Sequence, residues 1–154
     1  MSEPSFNLFH GGLDDPTFDR PGYDWRGDQI GPRLGAKLIG MSVYELRAGQ
    51  RTFPYHYTLG QEEWLLVVAG HTTLRGPDGE LTLAPGDVAV FPEGPAGAHQ
   101  VRNDGDQSAR VAIFSTKPGT AAVVYPDSDK LAVWGSAERH VVRATPQLDY
   151  WEGE

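Results

Sequence analysis

The stretch GQRTFPYHYTLGQEEWLLVVAG, residues 49–70, decides the fold. Its second half, Trp64-Leu65-Leu66-Val67-Val68-Ala69, is a continuous apolar run closed by Gly70, the form of a strand buried on both faces. Val88-Ala89-Val90-Phe91 and residues 109–115 read the same way. Leu81-Thr82-Leu83 and the second half of residues 38–46 instead alternate apolar with polar. The 19 glycines and 12 prolines fall between these runs as punctuation, which is the pattern of many short strands joined by turns. No long segment keeps a helical period.

Turn chemistry sets the expected pairing. Gly76-Pro77-Asp78-Gly79 joins residues 72–75 to 80–83 as a hairpin, with Asp-Gly supplying central residues that tolerate positive φ. Ala84-Pro85-Gly86-Asp87 ends one strand and starts the next, and Asn103-Asp104-Gly105-Asp106 leads into the run at 109. Strands at this density predict an all-β sandwich or barrel. Closing a barrel also removes the edges that invite aggregation.

A second stretch, GDVAVFPEGPAGAHQVRN at residues 86–103, completes the pattern. In the first stretch Gly49 is followed by His56, Glu63 and, after six residues, Gly70. In the second, Gly86 is followed after five residues by Pro92-Glu93-Gly94, then by His99 and Asn103. Together they resemble the two motifs of the cupin superfamily, in order and separated by a short hairpin. The whole chain looks like a group of single-domain bacterial cupins that share Pro54-Tyr55-His56-Tyr57, Tyr125-Pro126-Asp127-Ser128-Asp129-Lys130 and Asp149-Tyr150-Trp151. The resemblance implies a cupin double-stranded β-helix, a small antiparallel jelly-roll barrel. One domain over residues 1–154 is expected, with an N-terminal arm (1–34), a barrel (35–134) and a C-terminal tail (135–154).

Alternate residues of a strand share a face, so His56 and Thr58 should point together into the barrel, with Glu63 joining from the next strand. His99 opens the strand after the Gly-rich turn. Two imidazoles and a carboxylate suit a borderline divalent metal such as zinc, iron, manganese or nickel and leave positions open for water or substrate. The family's first motif normally reads His-x-His, whereas here Thr58 stands in the second position; Thr58 is expected to line the cavity and donate a hydrogen bond to water or substrate. The second motif is longer than the family's by two residues within Pro95-Ala96-Gly97-Ala98. Glu62 is expected to face outward, and His10, His71 and His140 to lie outside the site. Trp64 is expected in the core or at an interface. The lumen shows no obvious basic cluster for a phosphate, although Arg51, Arg75 or Arg102 could reach it, which weighs against a sugar-phosphate substrate.

Composition narrows the partners. The formal charge of −8, with no basic run, argues against nucleic acid and anionic lipid. Without cysteine there is no disulfide or thiolate site. No apolar stretch reaches membrane-span length and the N-terminus lacks signal-peptide features, so a cytoplasmic protein is expected. The aromatic residues Phe6, Phe9, Phe18, Tyr23 and Trp25, with Tyr150 and Trp151, predict ends that pack on the barrel or on a second subunit. Small cupins commonly pair, so the resemblance implies a homodimer with these ends as the surfaces to bury. The expected function is a metal-dependent isomerase- or dioxygenase-like enzyme acting on a small-molecule ligand. The alternative is a non-catalytic binding or sensing module with weak or no metal.

Overall fold

The computed structural model describes residues 3–15 and 20–154. Five strands form the main sheet: β1 (Trp25–Gln29), β2 (Ile39–Leu46), β4 (Glu63–Ala69), β7 (Val88–Phe91) and β9 (Ala109–Thr116), in the order β1-β2-β9-β4-β7. A second sheet runs β12-β11-β10-β3 and combines β3 (Tyr57–Leu59), β10 (Ala121–Tyr125), β11 (Lys130–Trp134) and β12 (Arg139–Arg143). The third is β6-β5-β8, built from β5 (Thr72–Gly76), β6 (Gly79–Leu83) and β8 (Gln100–Arg102). Every pairing is antiparallel, and neighbours far apart in sequence lie side by side, as in a jelly roll. Among the described residues no helix is long and apolar enough to cross a membrane.

Parity along the strands divides the main sheet into two faces. Leu46, Leu65, Val67, Phe91 and Val111 point inward and join Trp25, Leu74, Leu83 and Val101 in the barrel core. Val43, Val68 and Ala112 point outward and are covered by Leu13 and by Ile30 of a short helix, α1 (Ile30–Arg33), with Phe6 and Leu8 packed around them. Each fully buried aliphatic side chain contributes roughly 1.5–3 kcal/mol. The N-terminal segment is held over the outer face by polar clamps. Arg33 bonds Glu3 and Asp28, Arg26 bonds the Leu13 carbonyl, and Arg110 bonds the Gly11 carbonyl.

The cover stops short of one end of the sheet, which corrects the expectation that β4 and β7 are buried on both faces throughout. Trp64, Val88 and Val90 stand on the outer face 45%, 56% and 48% exposed. Trp64 is therefore not a core residue, and its indole N–H donates to Glu62, which lies outside as expected. Strand β9 does read as anticipated, with Ala109–Ala112 buried.

The strand ends also differ from the sequence expectation. β1 lies inside the stretch read as an arm and completes the main sheet, while β12 lies inside the stretch read as a tail. Phe6 and Trp25 pack on the barrel; Phe9, Leu148, Tyr150 and Trp151 are exposed, and Phe18 falls outside the described residues. The 72–83 hairpin has the expected register, Arg75 opposite Glu80, but Gly76 pairs with Gly79. The central residues are therefore Pro77 and Asp78, and only Gly79 takes positive φ. Gly70 needs both freedoms of glycine: φ is +70°, and a Cβ there would sit 2.6 Å from the Ser108 carbonyl oxygen.

Truncating Leu65, which is fully buried, to Ala should lower unfolding free energy by about 2–5 kcal/mol in urea denaturation. Val88→Thr on the exposed face should change it by less than about 0.5 kcal/mol.

Candidate metal centre

His56 and His99 face each other as an isolated antiparallel bridge, just before β3 and just before β8. The His56 N–H donates to the His99 carbonyl at 3.1 Å, and the His99 N–H to the His56 carbonyl at 2.8 Å. Directly opposed residues of this kind project their side chains from the same face, and the two imidazoles lie 4.6 Å apart between ring centres. Each ring is oriented in the same way. The Nδ1 of His56 lies 2.8 Å from the Pro54 carbonyl, and that of His99 lies 2.8 Å from the Gly97 carbonyl. A carbonyl only accepts, so Nδ1 carries the proton in both neutral rings and Nε2 keeps its lone pair.

Glu63 enters from β4, where it shares the inward parity of Leu65 and Val67 and pairs with Ser115 on one side and Phe91 on the other. Its Oε2 lies 3.7 Å from the His56 Nε2 and 3.8 Å from the His99 Nε2. Both separations exceed hydrogen bonding, and this buried oxygen has no partner. The three donor atoms lie within 4.8 Å of one another. An orphaned carboxylate oxygen facing two imidazole lone pairs fits a divalent cation between them, because burying these groups unsatisfied is costly.

The longer second motif has a local purpose. Pro95–Gly97 forms one 3₁₀ turn, tied to β3 by the Gly94 N–H donating to the Thr58 carbonyl at 2.7 Å. That turn presents the Gly97 carbonyl to His99, and any side chain on Gly97 would run into the Pro92 carbonyl. Phe91 stacks on the His99 ring at 3.6 Å and an interplanar angle of 8°. Burial, followed by the neighbouring His56, pushes the His99 imidazole down to about 4. Burial works against ionisation of Glu63, but interaction with His56 and the charges of His99 and Lys117 outweigh it, so its pKa is lowered.

These groups line a cavity of about 660 Å³. Thr58 lines it beside His56, but its hydroxyl donates to the Gln61 carbonyl at 2.7 Å rather than into the cavity. That corrects its expected role as a donor to water or substrate. Arg51, Arg75 and Arg102 do not line the cavity. Arg75 pairs with Asp127 across the Tyr55 ring, Arg102 pairs with Glu80 and Asp104, and Arg51 lies over Tyr23. The cavity's cations are Lys117, Lys130 and Arg139, none of them anticipated. Tyr44 and Tyr125 also line it, and burial raises the pKa of both phenols. Tyr44 and Ser115 were within reach of the alternation that places Leu46 and Ile113 inside. Lys130 and Arg139 were not, since their position depends on β11 and β12 folding back on β10. His10, His71 and His140 are exposed and away from the site.

A jelly-roll barrel with a two-histidine, one-carboxylate focus in its lumen defines a class of small β-barrel proteins whose sites can take a metal. The family model described as Cupin domain matches residues 42–115. Curated proteins include no match. Among solved structures, a candidate sugar phosphate isomerase from Acidithiobacillus ferrooxidans is 26% identical with a TM-score of 0.76, over 83% of this chain and 82% of that one. A cupin-superfamily sugar phosphate isomerase from Silicibacter pomeroyi shares the fold at a TM-score of 0.80 and 23% identity, covering 91% of this chain and 92% of its own. A polyketide cyclase from Streptomyces resistomycificus shares it at 0.57 and 17%, over 88% and 82%.

His99 makes the metal-free protein acid-sensitive. Its folded pKa near 4 lies below the ordinary 6.5, so the unfolded chain takes up the proton first and stability falls as pH drops through that window. Urea unfolding of chelator-treated protein at a series of pH values should show this slope between 6.5 and 4, and His99→Gln should flatten it. An unchanged slope in the variant would place the titration elsewhere.

Proposed function

We propose that this protein is a metal-dependent enzyme that works on a small oxygen-bearing molecule in the barrel, by proton transfer of the isomerase kind. The observation that carries the reading is the convergence of three unshared donor atoms, His56 Nε2, His99 Nε2 and Glu63 Oε2, in the cavity. Those residues would hold the metal, and the donor set suits zinc, iron, manganese or nickel. A bound divalent ion supplies Lewis acidity toward a carbonyl or hydroxyl oxygen.

The rest of the chemistry belongs to the chain. The Nδ1 bonds to Pro54 and Gly97 fix both rings, so no reorientation is needed when Nε2 is used. Phe53, Ile113 and Val123 supply apolar side chains to the cavity lining. Tyr44 and Tyr125 keep their protons near neutral pH and offer O–H donors to substrate oxygens from the same lining. The likeness to the Acidithiobacillus protein named for sugar phosphate isomerisation supports the isomerase over the dioxygenase form.

One observation favours a second reading, a binding module without chemistry. Thr58 stands where the family pattern places a further histidine, and its hydroxyl is already engaged. Metal content separates the two. Elemental analysis of protein purified without a histidine tag should find one ion per chain, with affinity at least about tenfold weaker in His56→Ala, His99→Ala and Glu63→Gln. Thr58→His should tighten binding. Absence of metal at every ion supplied would sink the enzyme reading and leave the binding module.

A further inference from the structure

The charge of the cavity is opposite to that of the chain. Acidic residues outnumber basic ones 21 to 13 over the sequence. Among the residues lining the cavity, three are cationic, Lys117, Lys130 and Arg139, and one is acidic, Glu63. On the outside, Arg33, Arg47, Arg75 and Arg102 each hold a carboxylate within ion-pair distance. Among the described residues, none of the three cavity cations has such a partner.

Aromatic faces orient two of them instead. Lys130 lies opposite Tyr125 in the β10–β11 pair, with its ammonium 4.9 Å from the ring centre. Arg139 lies opposite Trp134 in the β11–β12 pair, with its guanidinium 3.8 Å from that ring. Both aromatic side chains line the same cavity. A cation held over a ring keeps its N–H donors free for an anion, whereas a carboxylate partner would consume them. Lys117, the residue after the end of β9, lines the cavity with Lys130 and Arg139.

We infer that the cavity takes a small molecule bearing a phosphate group, held by Lys117, Lys130 and Arg139, with its oxygen-bearing remainder turned toward His56, Glu63 and His99. Only the placement of that remainder rests on the metal-enzyme reading. Three cations less one carboxylate leave a formal +2, and a phosphate monoester carries about −1.5 to −2 near neutral pH, which a single carboxylate does not match. Cations lining a cavity also raise the local concentration of such an anion, against the repulsion of a chain of charge −8.

The test is calorimetric titration of inorganic phosphate into the full-length protein after chelator treatment, at low ionic strength and neutral pH. Saturable binding at one site is expected, with acetate at least tenfold weaker. The Lys130→Met/Arg139→Met double variant and Lys117→Met should each lose tenfold or more in phosphate affinity. Arg47→Met, which removes an exposed cation paired with Asp24, should lose nothing. No saturable phosphate binding, equal affinity for acetate, or unchanged affinity in the cavity variants would overturn the inference. His56→Ala should bind phosphate as the parent does. If phosphate binding instead vanished with His56 while the lysine and arginine variants kept it, the anion would belong to the histidine focus and the inference would fall. A parent protein that binds phosphate but no metal supports the inference and removes the metal-enzyme reading, so the two can fail separately.

Discussion

The backbone bridge between His56 and His99 is the constraint on which the site depends. Two mutual N–H to carbonyl bonds put the imidazoles on one face, and the matching Nδ1 contacts to Pro54 and Gly97 turn both lone pairs the same way. No side-chain network is needed to aim them. Glu63 is fixed as firmly, because β4 is hydrogen-bonded on both edges and a one-residue slip would carry Glu63 outside together with Leu65 and Val67. The core therefore sets the position of the carboxylate. That arrangement leaves Oε2 without a hydrogen-bond donor, and a carboxylate kept ionised in such a place is a strain that a cation at the focus relieves.

Much of this was legible in the sequence because it rests on period and spacing. The parity of Glu63 with Leu65 and Val67, the glycines at 70 and 86 that close and open strands, and the interval from Gly94 to His99 are local facts. They found the fold and brought together His56, Glu63 and His99. What escaped depends on which distant segments cover one another. An apolar run does not reveal whether a second layer reaches it: residues 6–13 and α1 cover Val43 and Val68 but not Trp64, Val88 and Val90. The cavity's cations escaped for the same reason. Lys130 and Arg139 enter it only because β11 and β12 extend the sheet begun by β10 and β3, and nothing near them in sequence signals that return.

Thr58 links the two kinds of observation. At strand parity it belongs to the cavity, as expected, but its hydroxyl closes the turn from β3 to β4 by bonding the Gln61 carbonyl, two residues before Glu63. Threonine here trades a candidate ligand for a brace on the residue that supplies the carboxylate. The result is a focus with one nitrogen donor fewer than the family pattern. Fewer donors lower the affinity for a metal, yet they leave more positions open to a substrate oxygen.

That trade bears on how a substrate would be held. On the proposed reading, a small molecule would be oriented by the cavity's cations as well as by the three donors at the focus. Lys130 and Arg139 are suited to this by their aromatic seats. Each is directed by the residue directly across the strand pair, so its position follows from register in the same way that the histidines' does. Both groups are thus set by antiparallel pairing, the histidines by the bridge that precedes β3 and β8 and the cations Lys130 and Arg139 by the β10–β11–β12 pairing. Since β3 and β10 are themselves neighbours, paired from Tyr57–Val124 to Leu59–Ala122, the two groups share one backbone frame. On the proposed reading, the spacing between the histidine focus and the cations that would hold an anion is then a property of the fold.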